Sequence, residues 1–192
     1  MLSSGAMNSN GPTLITPRLI LRPTQAEDFE GWASLMSDPE CARYIGGVQP
    51  RALAWRGFAT VAGSWQLYGY SMFSVIERSS QRWLGRLGPW RPEGWPGDEV
   101  GWGLVRSAWG QGYAIEGTTA AIDWAIEHLG WQSFVHAIDP ANERSQRVAT
   151  RLGSRLQGPG KLPAPFDQAP IELWGQTAQE WRSRRGIGGS IA

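Results

Sequence analysis

The chain has 192 residues, near the size of one compact domain and long enough to enclose an apolar core. Eighteen basic residues against seventeen acidic ones leave a formal charge of +1, with no run of five or six like charges, which argues against nucleic acid as a partner. The lone cysteine, Cys41, has no disulfide partner and no Cys or His at a metal-ligand spacing, so a disulfide framework and a cysteine-based zinc site are excluded and no metal is expected.

Residues 1–12 form a Ser/Asn/Gly-rich leader without a basic head or apolar stretch, unlike a signal peptide. No run of eighteen apolar residues predicts a membrane span, and a reducing cytoplasm is the expected setting. Along the chain, Leu19 to Arg22 alternates as a short strand between Pro17 and Pro23, and Glu27 to Ser37 has helical apolar spacing that Asp38-Pro39 ends. Arg51 to Leu67 predicts a second helix, with Gly57 and Gly63 as points where it would break. Tyr70 to Glu77 and Gln81 to Trp90 read as a hairpin, followed by a Pro/Gly-rich loop over 91–97. Then come a strand over Glu99 to Val105, a helix over Gln111 to Leu129, a strand over Gln132 to Ile138 and a helix over Asn142 to Leu152. Asn142 stands at an N-cap, and Gly130 and Gly153 at C′ positions. Ile171 to Trp174 is the last predicted strand, and residues 186–192 form a glycine-rich tail. The whole predicts one α/β (α+β) domain over 13–185.

Between a strand and a helix lies Trp109-Gly110-Gln111-Gly112-Tyr113-Ala114, where glycines allow close approach and free helix-start N–H groups favour an anion such as phosphate. A Rossmann fingerprint needs Gly or Ala where Ile115 stands, and a Walker loop needs Gly-Lys-Ser/Thr, which the chain lacks, so both nucleotide motifs fail.

Four pieces in order resemble the RimJ/RimL-like branch of the GNAT acetyltransferases over roughly residues 14 to 175. They are Thr16 to Pro23 with Glu27-Asp28, Glu99 to Leu104, Trp109 to Glu116, and Asp139 to Ser145 with Val148 and Leu152-Gly153. The resemblance implies a mixed, mostly antiparallel sheet of six to seven strands flanked by helices. It would splay between its fourth and fifth strands around acetyl-CoA as co-substrate. It implies cofactor contacts at Trp102, Leu104 and Val105, at Trp109, Gly110, Gln111, Gly112, Tyr113, Ala114 and Ile115, and at Asn142 and Ser145. Where the wider superfamily has Gln or Arg, this chain has Trp109, so backbone donors must carry the phosphate, with Arg106, Arg144 or Arg147 as cationic help.

Attack of a neutral amine on a thioester needs a route for the ammonium proton and a donor for the oxyanion. The resemblance makes Glu99 the leading base, with Asp98 and Glu116 as rivals. At the superfamily's usual tyrosine position stands Ala149, so Ser145 is expected to steady the leaving thiolate as a hydrogen-bond donor. His128 and His136 read as structural. Trp32, Trp55, Trp65 and Tyr70 are candidates for an acceptor wall, while most of the twelve tryptophans are expected to fill the core or cover a homodimer surface. The expected acceptor is a primary amine, either a protein N-terminus or a small molecule. The competing reading is an acyl-CoA-binding module without turnover.

Overall fold

The computed structural model describes residues 11–186; the leader and tail expectations fall, apart from Gly11, Pro12 and Gly186, outside the described residues. In chain order the elements are β1 (Leu14–Ile15), β2 (Leu19–Arg22), a 3-10 turn (Ala26–Asp28), α1 (Phe29–Ser37), α2 (Pro39–Ala42) and α3 (Arg51–Tyr68). Then follow β3 (Phe73–Glu77), β4 (Trp83–Trp90), β5 (Glu99–Leu104), a second 3-10 turn (Arg106–Ala108), α4 (Tyr113–His128) and β6 (Ser133–Ile138). The chain closes with α5 (Glu143–Leu152), β7 (Arg155–Gly160), β8 (Ile171–Thr177) and α6 (Ala178–Arg185). One eight-stranded sheet runs β1-β2-β3-β4-β5-β6-β8-β7, antiparallel throughout except between β5 and β6.

The sheet exceeds the expected six to seven strands because of β1, only two residues long, and β7, whose Gly158-Pro159 disguises a sheet-edge strand as a loop. The second helix is unbroken from Arg51 to Tyr68. Its buried stripe of Ala54, Phe58, Val61 and Trp65 outweighs the cost of about 1 kcal/mol per glycine at Gly57 and Gly63.

Strand alternation divides the interior in two. Leu19, Leu21, Phe73, Val75, Leu87 and Val100 pack with Ala121, Ile122 and Ala125 of α4 on one face. Trp32, Leu35 and Met36 of α1 meet Phe58 and Val61 of α3 over the other. The entry into α1 is fixed by buried Asp28, which accepts 2.8 Å bonds from both terminal nitrogens of Arg22 and one of 2.7 Å from Ser74 Oγ. These satisfied oxygens let a carboxylate sit under the helix layer.

Between β5 and β6 the ladder opens: the pair shares the single register position Glu99 with Val135, and Val135 N–H donates to Asp98 O at 2.9 Å. Counting from Leu19–Arg22, this is the expected gap between the fourth and fifth strands. Beyond it the separating backbones need other partners. His136, 1% exposed on β6, reaches across to Val100 O at 2.6 Å. A carbonyl only accepts, so Nδ1 carries the proton and Nε2 accepts from Ser154 Oγ at 3.0 Å; Ser154 Oγ in turn accepts from Gln176 Nε2 at 3.0 Å. From the other strand, Glu99 accepts the N–H of Ala137 at 3.2 Å.

Burial holds the His136 pKa down at about 4, against a lesser upward pull from Val100 O. The unfolded chain takes up a proton below about 6.5 while the folded chain does not. This stabilisation is therefore complete above pH 6.5 and is lost as pH falls through 4, a span worth about 3 kcal/mol. Replacing His136 with Phe leaves Val100 O without its donor and the Ser154 O–H without its acceptor, costing about 2–4 kcal/mol at pH 7. In urea denaturation the gap between wild type and His136→Phe should narrow steadily from pH 7 to pH 4; a constant gap would mean that the imidazole is not held neutral.

Candidate active site

From Trp109 the chain turns sharply into α4: Gly110 at φ 74° and Gly112 at φ 80° are both left-handed, and Gly112 caps α4. The N–H groups from Gly110 to Ile115 donate to no backbone carbonyl of the described residues, so the start of α4 presents a row of free donors. Gln111 turns outward, its Nε2 on Ser107 O at 2.6 Å and its carbonyl on Arg18 Nη1 at 2.8 Å.

Beside this turn runs β5. Val105 N–H donates to Leu84 O at 2.8 Å, and alternation then directs the polar groups of Val100, Trp102 and Leu104 into the gap. Two contacts agree with this: Val100 O meets His136, and Leu104 O accepts Trp109 Nε1 at 2.9 Å. Trp102 and Leu104 thus aim their N–H groups at the gap. Val105, expected among the cofactor contacts, spends its N–H on β4 instead. Across the gap, Asn142 Oδ1 caps α5 by accepting Ser145 N–H at 3.1 Å, and Ser145 Oγ accepts Trp102 Nε1 at 3.2 Å. With that lone pair taken, the serine proton is free to point elsewhere.

These parts line one cleft of about 600 Å³, walled by Trp102, Leu104, Trp109, Gly110, Gly112 to Ile115, Asn142 and Ser145. Gln111 and Val105 do not line it. Arg43, Arg144, Arg147 and Arg151 stand around it, and the Arg144 guanidinium lies 3.7 Å from the centroid of Trp109. Tyr44 bridges one edge, its hydroxyl 3.2 Å from Ala141 O. Arg106 is not part of the cationic rim, because Asp38 holds it at 2.6 Å. Arg18 was not singled out from sequence. It braces the turn by bonding Gln111 O and by lying over the Tyr113 ring at 4.4 Å, a role that only long-range packing reveals.

Glu99 lies outside the cleft lining and is 6% exposed, bonded to Ala137 N and to Trp95 Nε1. Burial raises its pKa to about 7, against the lowering pull of Trp95, Ala137 and Arg86. The rivals are engaged elsewhere. Asp98 is paired with Arg91 at 2.7 Å. Burial works against ionisation of Glu116, but bonds from Thr16 Oγ1 at 2.6 Å and from Arg18 N and Nε at 2.8 and 2.6 Å outweigh it, holding its pKa below the ordinary value. Glu116 therefore clamps α4 to the β1–β2 turn.

Residues 18–155 match the family described as acetyltransferase (GNAT) domain. The chain belongs to the GNAT acetyltransferases. It is 27% identical over 150 residues to the uncharacterised N-acetyltransferase p20 of Bacillus licheniformis, covering 76% of this chain and 84% of that one. An acetyltransferase structure from Agrobacterium tumefaciens superposes with a TM-score of 0.77 at 29% identity, covering 86% of this chain and 94% of that one. RimL, a ribosomal L7/L12 α-N-protein acetyltransferase solved with coenzyme A, shares the fold with a TM-score of 0.70 at 17% identity, over 86% and 98% of the two chains.

Among the expected acceptor-wall residues of this GNAT domain, Trp65 is a core residue, 2% exposed between Phe73 and Trp124. Tyr70 packs edge-on against Trp131 near the same core, and Trp55 is exposed against Phe29 and Phe58 on α3. Only Trp32 joins the layer over β4 and β5, where its ring lies 4.9 Å from Arg86 Cζ. No group of His, Cys, Asp or Glu among the described residues could hold a metal, and no helix there is long and apolar enough to cross a membrane.

A Cβ at Gly110 would meet nothing within 4 Å, so Gly110→Ala isolates the conformational cost of the left-handed turn. Thermal and urea unfolding should show a loss of about 1–2 kcal/mol; an unchanged stability would mean that the turn relaxes to another backbone path.

Proposed function

We propose that the cleft binds acetyl-CoA and that the enzyme transfers its acetyl group directly to a primary amine in a ternary complex. The observation that carries this reading is the opening of three donor sets onto one cleft: the free amides from Gly110 to Ile115, the strand amides of Trp102 and Leu104, and Ser145. The pyrophosphate would take the helix-start amides, with Arg144 or Arg147 beside it. The pantetheine arm would run along β5, where its amides pair with the exposed edge. As the amine nitrogen attacks the thioester carbon, the oxygen gains charge and the C–S bond breaks. A strand N–H would receive the first charge, and the Ser145 O–H the second.

A thiol pKa of about 8.5 makes the leaving group adequate without a stronger acid, which suits a serine donor where the superfamily more often has tyrosine. Removing the amine proton falls to Glu99, acting through water because its carboxylate lies off the cleft wall. Its pKa near 7 suits that task. The acceptor class follows two relatives by analogy: RimL acts on a protein α-amine, and p20 is named only as an N-acetyltransferase, so a peptide N-terminus and a small amine both fit.

Calorimetric titration with acetyl-CoA, against ATP and NADH as controls, tests the cofactor, and selective binding at micromolar affinity is expected. Ser145→Ala should lower kcat about 10- to 100-fold without abolishing it, the worth of one charge-assisted hydrogen bond. In wild type, kcat/KM should rise with pH through about 7 as Glu99 loses its proton, and Glu99→Gln should erase that limb and lower the plateau. Tight acetyl-CoA binding with no transfer to a broad amine and peptide panel would instead identify a silent acyl-CoA-binding module.

A further inference from the structure

On the α1–α3 face of the sheet lies a cluster of charged and aromatic side chains outside the cleft lining. Register pairs Arg86 with Gly103 and Trp90 with Glu99. Same-side projection along the ladder sends Arg86, Trp90 and Glu99 to this face. Gly103 also lines the cleft, so Arg86 stands one strand spacing from the place where the cleft reaches this side. Trp32 backs the guanidinium at 4.9 Å, Trp90 and Trp95 meet edge to face at 6.3 Å, and the Trp95 indole donates to Glu99. Between them β5 has no side chain at 101. A Cβ there would stand 2.9 Å from Met72 Cε and 3.2 Å from Glu99 Oε1.

Arg86 is the group without an adequate partner. It is only partly exposed and makes no ion pair among the described residues, and its one hydrogen bond runs to the sulfur of Met72, a weak acceptor. Its Nε is buried with no partner, as is the indole nitrogen of Trp32. Burial draws its pKa down to about 10 against the upward pull of Glu99, so it stays charged at neutral pH. Glu99 offsets it only in part: the two form no ion pair among the described residues, and burial raises the Glu99 pKa to about 7, so near neutral pH it carries only part of a charge. Half-buried guanidinium donors without an oxyanion are costly to keep, and a ligand that brings one repays that cost.

We propose that the acceptor seats against this cluster and that Arg86 grips a carboxylate or other oxyanion on the acceptor molecule itself. The substrates would be amines that also carry an acid group. This rests on the acetyltransferase reading above. A simple ammonium would meet a positive charge that Glu99 offsets only in part, whereas an acid-bearing amine cancels it and matches the planar fork with two parallel bonds. The tryptophans supply walls for the carbon skeleton. The chemistry is shared by a free amino acid and by a peptide with an acidic residue near its N-terminus.

Initial rates of CoA release with matched acceptors decide the matter: phenylalanine against phenethylamine for the small-molecule source, and peptides differing by Asp or Asn at their second position for the peptide source. The acid-bearing member of at least one pair should be preferred about tenfold or more in kcat/KM. Arg86→Gln should collapse that preference through KM, while its acetyl-CoA affinity stays within about twofold of wild type as a check on folding. Arg86→Lys keeps the charge without the fork and should fall between the two. Equal or better use of the acid-free member in both pairs, or a preference that survives in Arg86→Gln, overturns the proposal. Transfer to no acceptor at all would overturn the acetyltransferase reading instead. Calorimetry of N-acetylphenylalanine against its amide, with CoA present, then decides the Arg86 contact alone. Tighter binding of the acid that is lost in Arg86→Gln supports the proposal, and equal binding overturns it.

Discussion

Two parallel strands that part after a single register position leave a line of peptide groups with nothing opposite, and the rest of this molecule is arranged around that line. Where the gap is narrow, side chains substitute for the missing ladder: the His136 imidazole reaches Val100 O, and the Glu99 carboxylate reaches Ala137 N. Where it widens, the Trp109 indole takes Leu104 O, and the amides of Trp102 and Leu104 face the gap. An open seam in a sheet is unstable without such partners. Side chains close the narrow part of the seam, and the wide part stays open as one wall of the cleft.

Each stitch carries a titration of its own, with opposite sign. The imidazole is held neutral, so acid weakens it. The Glu99 carboxyl, with its pKa raised from 4.5 to about 7, is best tolerated protonated, so its contribution is complete below pH 4.5 and is lost as pH rises through 7. Between about 4.5 and 6.5 the two trends oppose, which flattens the pH dependence of the seam. Using a buried carboxyl group as a structural bridge also sets its proton affinity, so its place in the fold and the base role proposed for it rest on one cause.

Features set by neighbours in the chain were legible from sequence. Asn142 caps α5 as its spacing predicts, and Gly130 and Gly153 adopt left-handed φ values of 70° and 90°. Residues 109 to 115 make the turn where a strand hands over to a helix. Other local signals were present but ambiguous. Pro39 ends one helix and, at the first position of the next, begins α2; Thr177 with Glu180 forms a capping box that announces α6. Hidden features depended on contacts distant in sequence. Trp65 looked like any other aromatic until packing placed it beneath Trp124, and Arg86 looked like an ordinary strand residue until register set it across from Gly103. The outward turn of Gln111 and the bracing by Arg18 belong to the same class.

The Gly110–Ile115 turn presents peptide nitrogens and almost nothing else. Every amino acid except proline supplies that group, so most positions in the loop can drift in identity without erasing the row of donors, while the two left-handed glycines and the Arg18 bond to Gln111 O hold its shape. These donors are thereby independent of the side chains of the α1–α3 face, which can be exchanged one at a time without touching the peptide groups at the start of α4.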